Sequence, residues 1–299
     1  MSSDSPPVFP PELEREMFET AAHFHPETIF NLLLVSRHVH EWIDGMQYDT
    51  VTSEGDRWSC PVHALRQAMQ SNSKPATFFH RNVRHLFVFG GDLDNELDVE
   101  EALRVCSGIK NLVLSLRRSS GSRILPSIVA MKPQRLSLRW DSILISIHPH
   151  QPTFTCLTHL FILDNFLAFS DGALARLPWH VAQLPVLTHL AMVNTALFGG
   201  GDPVLEKTIL AVCKALKVLI VSPEEPQFGM EYLPRIDDIR FVYINIQDAV
   251  GFLDEWLAQT RGGIDFWARA DAFVEKKRHG EIQPASRCWI EPADDISVG

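Results

Sequence analysis

The chain has no surplus of positive charge, no paired cysteines and no long apolar run, and each absence removes a class of function. Its 299 residues carry 27 Lys and Arg against 37 Asp and Glu, a formal net charge of −10. A duplex-binding protein draws most of its affinity from basic residues on phosphates, so nucleic acid is not an expected partner. The five cysteines, at 60, 106, 156, 213 and 288, are odd in number and never spaced C-x-x-C. Neither a disulfide framework nor a zinc site is indicated, and free buried thiols in a reducing compartment are the simplest account. No stretch approaches the ~20 apolar residues that cross a bilayer, and no N-terminal run has the basic-then-apolar order of a secretory signal. The expectation is an intracellular chain, cytoplasmic or nuclear, without membrane contact.

Motifs that carry chemistry are equally scarce. There is no G-x-S-x-G elbow. Gly199-Gly200-Gly201-Asp202 lacks the following Lys-Ser or Lys-Thr of a phosphate loop and reads as a turn. Asp92, Asp94, Glu96 and Asp98 lack the glycine and the closing glutamate of a calcium loop. The pairs His23/His25 and His38/His40 sit on or beside helices, where residues two apart face away from each other. His148-Pro149-His150 falls in a loop but has no cysteine or carboxylate partner nearby. No catalytic residue, metal or cofactor is assigned. A triad assembled in space leaves no local signature, so an α/β enzyme with an unseen site stays open as an alternative.

What the chain does contain is a repeat. The frame L-x-x-L-x-[LIVM] fits Val83/Leu86/Val88, Ile109/Leu112/Leu114, Leu157/Leu160/Ile162, Leu187/Leu190/Met192 and Leu216/Leu219/Val221. Leu136/Leu138 fit with Pro133 in the first place, and Ile236/Ile239/Phe241 make a plausible last copy. The second apolar positions, 86, 112, 136, 160, 190, 219 and 239, are separated by 26, 24, 24, 30, 29 and 20 residues. Units of roughly 20–30 residues on this frame resemble leucine-rich repeats, one strand and one return element each, which bury their apolar edges only by stacking. Segments 99–105, 174–184 and 204–216 carry the helical spacing expected of returns. The asparagine that usually follows the strand is clear only at Asn165. The expected fold is therefore α/β, an irregular leucine-rich-repeat solenoid of parallel strands and helical returns. An ordinary α/β domain with a parallel sheet is the alternative.

Side chains alternate along a strand, so the residues between the leucines should face out across the sheet. Phe87, Phe89, Phe161 and Leu163 would then make an apolar patch of the kind that contacts proteins, with Arg117, Arg135 and Arg139 offering carboxylate-binding forks at its edge. Phe87, Phe161, Arg135 and Arg139 are the candidate target-binding residues. The same side chains become core if helices cover that face too.

Ahead of the repeats, Phe9-Pro10-Pro11-Glu12-Leu13, Met17-Phe18 and the run Leu32 to Ile43 predict three short helices with too little core to be stable alone. These segments resemble an F-box, whose members typically show leucine-proline-x-glutamate-leucine, then isoleucine-phenylalanine, then a leucine-rich stretch ending in valine-cysteine-arginine-arginine-tryptophan. The resemblance covers about residues 8–50. Ser36 stands where cysteine is common and Val39 where tryptophan is common. With Ser73-Lys74-Pro75-Ala76, Val83-Arg84-His85-Leu86 and Gly263-Ile264-Asp265-Phe266-Trp267, the chain looks like the F-box-like proteins of mushroom-forming fungi. That resemblance implies a substrate receptor of a cullin-RING (SCF-type) ubiquitin ligase, its head docked on a Skp-type adaptor through Pro10, Pro11, Leu13, Phe18, Leu34, Val35 and Val39. The alternative is a scaffold whose head only caps the solenoid. The two differ in a visible feature: a mere cap packs its whole apolar stripe on the repeats, whereas a docking head keeps an apolar face exposed.

The expected organisation is a head at 8–50, a linker and helix at 51–82 with a polar hinge at 52–56, repeats at 83–246, and capping helices with an acidic, loose tail at 247–299.

Overall fold

The computed structural model describes residues 9–53, 59–89, 93–115, 121–139, 152–163, 171–193, 203–223, 236–246 and 249–294. Gly199 to Asp202, His148 to His150, Asp92, Arg117 and Asn165 lie outside them.

Three helices open the chain, α1 (Pro11–Phe24), α2 (Ile29–Leu32) and α3 (Arg37–Ile43). Pro11 sits at the first helical position, where its missing N–H is not needed, and Glu12 and Glu14 lie at the positive end of the α1 dipole. Their shared core is small: Ala22, Ile29, Val39 and Ile43, backed by Phe18, Leu32, Leu33, Trp42 and Met46. A unit of that size needs outside support. It comes from the next segment, where Tyr48 meets the ring edges of Phe78 and Phe79, and Lys74 pairs with Asp44.

The repeat frame becomes one parallel sheet. Its strands are β1 (Thr50–Thr52), β2 (Cys60–Pro61), β3 (His85–Phe89), β4 (Asn111–Ser115), β5 (Arg135–Leu138), β6 (His159–Ile162), β7 (His189–Val193), β8 (Val218–Ser222) and β9 (Phe241–Tyr243). They stack in the order β2-β1-β3-β4-β5-β6-β7-β8-β9. Leu86, Leu112, Leu136, Leu160, Leu190 and Leu219 stand side by side in this register, so the second leucine of each frame is one rung of a single ladder. Two departures from expectation appear at the ends. Thr50–Thr52 forms a strand across the expected boundary between head and linker, and residues 54–56 of the expected polar hinge lie outside the described residues. At the far end Leu219 pairs with Phe241, so Phe241 rather than Ile239 holds the second apolar position, and Ile239 is exposed.

Between the strands run α4 (Val62–Gln70), α5 (Ala76–Asn82), α6 (Leu93–Val105), α7 (Gly121–Ala130), α8 (Asp171–Ala182) and α9 (Val204–Val212). Leu65, Leu103, Ile128, Leu177 and Ile209 from these returns pack against the ladder leucines in one continuous core. No unit closes this core by itself, which is why the copies stack.

The opposite face is covered as well. Helices α10 (Ala249–Thr260) and α11 (Phe266–Arg278) lie across it, burying Phe252, Trp256, Phe266, Trp267 and Phe273 against Phe87, Val113, Phe161, Ala191, Ile220 and Val242. These helices cross the sheet rather than closing its far end. Parallel sheets are normally buried on both faces, and a column containing Phe87 and Phe161 is too apolar to leave wet. Gly262, at φ 78°, supplies the left-handed turn between the two helices, and Asp265 caps α11 by accepting from the Ala268 N–H at 2.8 Å. Residues 287–294 are also held, where a loose tail was expected. Tyr243 N–H donates to the Cys288 carbonyl, Trp289 bridges to Tyr243, and the guanidinium of Arg287 forks onto the Asp294 carboxylate at 2.6 and 3.0 Å. No helix among the described residues is long and apolar enough to cross a membrane.

Candidate protein-interaction face

Burial on both sides removes the sheet from the list of open surfaces. Phe87 and Phe161 are 3% and 2% exposed. Phe161 meets Phe252 and Phe266 at ring-centroid distances of 5.3 and 5.7 Å, and Phe87 meets Trp256 at 5.2 Å. These two expected target-binding residues are core, because α10 and α11 occupy the place of a target. Arg135 is half-buried and donates to the Asp265 carboxylate at 2.7 Å. Arg139 is partly buried just past the end of β5.

The polar residues leading each strand tell the same story. Asn111 donates to the Gln259 side chain at 2.7 Å, and His189 meets the Asp271 carboxylate at 3.0 Å. His159 stacks on His189 at 4.2 Å and meets the edge of Trp267 at 5.1 Å. Burial, then the neighbouring His189 and Arg135, pushes His159 down to about 2; burial and the nearby Arg135 and Arg84 push His85 down to about 4. Both rings are therefore neutral at physiological pH.

The head is different. Of the twelve large hydrophobic residues exposed among the described residues, seven fall between 9 and 35: Phe9, Leu13, Met17, Phe24, Phe30, Leu34 and Val35. Helix geometry explains how α1 serves two surfaces. At 3.6 residues per turn, Leu13, Met17 and Phe24 fall within about 40° of one another, while Phe18 and Ala22 lie about 140–180° from Leu13. Phe18 and Ala22 pack inward, and the other stripe is left to solvent. The second contribution comes from the bend between α2 and α3. Leu34 and Val35 hydrogen-bond back to Asn31 and Leu32 carbonyls in a tight turn, then Ser36 goes extended and caps α3 by accepting from the Val39 N–H. That bend leaves Leu34 85% exposed and Val35 56% exposed.

Of the residues expected to bind an adaptor, Pro10, Pro11, Leu13, Leu34 and Val35 are exposed. Phe18 is half-buried, and Val39 is 1% exposed in the middle of the head core, so it supports the face instead of forming it. Sequence reading did not select Met17, Phe24 or Phe30 for this face; for Met17 and Phe24 the i, i+4 relation to Leu13 and the i, i+7 relation to Met17 were the available signal, and Phe30, on α2, had none. The paired histidines are used locally. His38 stacks on Trp42, His40 bonds the Leu33 carbonyl, His23 meets Phe24, and His25 lies 3.4 Å from Glu27. Among the described residues no three His, Cys, Asp or Glu side chains converge on a metal site.

Where the head meets the sheet there is a cleft of about 720 Å³, walled by α1 and α2, the 45–50 strap, the end of α5 and the turn after α10. Asp49 stands in it, its carbonyl accepting from both Arg84 N–H and His85 N–H, and burial raises its carboxyl to about 6 in spite of Arg84.

Comparison with protein families, with curated proteins and with solved structures finds no match for this chain.

Proposed function

We propose that this chain is a substrate receptor of a cullin-RING ubiquitin ligase: an F-box-like head that docks on a Skp-type adaptor, carried on an irregular leucine-rich-repeat array that holds a protein target. The observation that carries this reading is the exposed stripe of Leu13, Met17, Leu34 and Val35 on a head whose other face is already packed. Exposed apolar residues are unremarkable singly, but seven gathered in 27 residues mark a contact surface (9 to 35). A head serving only as a cap accounts for the Tyr48 and Asp44 contacts and leaves this stripe unexplained. The in-register leucine ladder supports the repeat assignment.

The chain's contribution to ubiquitin transfer would be proximity, raising the effective concentration of target lysines near a charged conjugating enzyme without a reacting group of its own. With Phe87 and Phe161 inside, the target would engage surfaces other than the sheet face. The test is co-elution on size exclusion of the purified full chain with a Skp-type adaptor. The expected result is a complex that Leu13→Asp with Leu34→Asp eliminates; separate elution of a folded wild type overturns the proposal.

A further inference from the structure

The cleft behind the head is a second site with different chemistry. The chain as a whole carries −10, yet Arg81, Arg84 and Arg261 all line this cleft and Asp49 is the single carboxylate among its lining residues. Arg81 is exposed at the mouth and makes no hydrogen bond or ion pair with any described residue. Ile29, Phe30, Met46 and Tyr48 contribute apolar lining. A volume of about 720 Å³ lies within the range that holds drug-sized ligands, roughly 300–1,000 Å³, and the lining mixes apolar side chains with polar and charged ones in about equal measure.

The walls come from parts of the chain distant in sequence and are fixed where they meet. Gly45 lies against the Asn82 side chain, leaving no room for a Cβ, which sets the strap carrying Asp49 against α5. Arg84 donates to the Gly108 carbonyl at 3.1 Å, which anchors one cation at the inner wall, and the left-handed Gly262 ends the turn that carries Arg261. The cleft is therefore formed before any ligand arrives, and binding there does not require ordering the walls.

We infer that this cleft binds a small organic anion, an apolar body with a carboxylate, sulfonate or phosphate group, whose charge meets Arg81 and Arg84 while its body lies on the Ile29–Phe30 wall. Guanidinium groups suit such a headgroup because their planar donors match its oxygens two at a time. The site shares Phe30 with the head's exposed apolar face but none of Leu13, Met17, Leu34 or Val35, so an occupant would brace the head against the sheet.

The test uses the full chain and 8-anilinonaphthalene-1-sulfonate, an apolar ring system with one anionic group, followed by fluorescence. The expected result is one saturable site with Kd on the order of tens of micromolar. Arg81→Glu should weaken it about tenfold, Leu34→Asp should leave it within about twofold, and 2-naphthyl phosphate should displace the dye. Because Arg81 is exposed and bonds to none of the described residues, its replacement should leave the urea midpoint unchanged, separating lost binding from lost fold. Absence of saturable binding, binding indifferent to Arg81→Glu, or binding abolished by Leu34→Asp overturns the inference, the last placing the dye on the docking stripe.

Discussion

Phe161→Ala separates a covered sheet from an open one. Phe161 is 2% exposed and touches both Phe252 and Phe266, one ring from α10 and one from α11. Removing a fully buried phenylalanine ring forfeits ~2–3 kcal/mol of transfer free energy and leaves a cavity, for a total of about 3–5 kcal/mol. On an open sheet the same change would cost within about 1 kcal/mol. Urea unfolding followed by tryptophan fluorescence and far-ultraviolet circular dichroism gives the difference directly. Pairing Phe161→Ala with Phe252→Ala should also show a coupling of about 1 kcal/mol, because the rings meet edge to face. Leu34→Ala in the same assay should stay within about 0.5 kcal/mol, since Leu34 is 85% exposed. A loss below about 1 kcal/mol for Phe161→Ala, or additive single changes, would refute the packing of α10 and α11 on the sheet.

Further outcomes follow from the same contacts. Arg135→Leu strips the Asp265 carboxylate, 5% exposed, of its partner and should cost about 2–4 kcal/mol by urea titration; adding Asp265→Asn, which keeps a capping oxygen and removes the charge, should recover part of that loss. His85 and His159 titrate near 6.5 when unfolded but only at about 4 and about 2 when folded. Their neutral forms therefore stabilise the fold fully above pH 6.5, and that stability drains as pH falls, by about 2 kcal/mol each at pH 5. Asp49, raised to about 6, acts in the opposite sense and offsets part of the loss. The slope of unfolding free energy between pH 7 and 5 should shrink in His159→Gln, and an unchanged slope would count against the buried neutral ring. Burial also raises the thiols of Cys60, Cys106 and Cys213 to about 11, 12 and 11. Iodoacetamide at pH 8 should spare these three in the native chain and reach all five cysteines in denaturant, as read by intact mass.

The parallel strands were legible because strand alternation is local: the second and third apolar positions of each frame, two residues apart, fall on one face whatever follows, and six of the second positions share a rung. The return helices α6, α8 and α9 and the two helices after the repeats were legible from their 3.6-residue spacing, whereas α5 and α7 were not read from the sequence. Which surface α10 and α11 would cover was not. Amphipathicity says that a helix buries one side and is silent about the partner. The column His85, Asn111, Arg135, His159 and His189 resembled a wet face because its partners, Gln259, Asp265, Trp267 and Asp271, stand 80 or more residues away (148, 130 and 82 for the bonded pairs). At the C-terminal end, Phe241 displaced Ile239 because the turn at Asp238–Arg240, held by the Asp238 carboxylate, takes up two residues before the strand begins. In the head the three helices were legible, but α1 carries two apolar stripes, and only packing assigns Phe18 and Ala22 to the core and Leu13 and Met17 to the surface. The cleft had no sequence signature, since its lining comes from the head, the strap, α5 and the turn after α10.

The most direct measurement is a calorimetric titration of the full chain with a Skp-type adaptor, run on wild type, on Leu13→Asp with Leu34→Asp, and on Trp179→Asp, an exposed aromatic change on α8 away from the head. The account predicts one-to-one binding at micromolar Kd or tighter for wild type and Trp179→Asp, and at least about a hundredfold weakening for the head pair at unchanged urea midpoint. A folded wild type that does not bind, or a head pair that binds as wild type does, would contradict it.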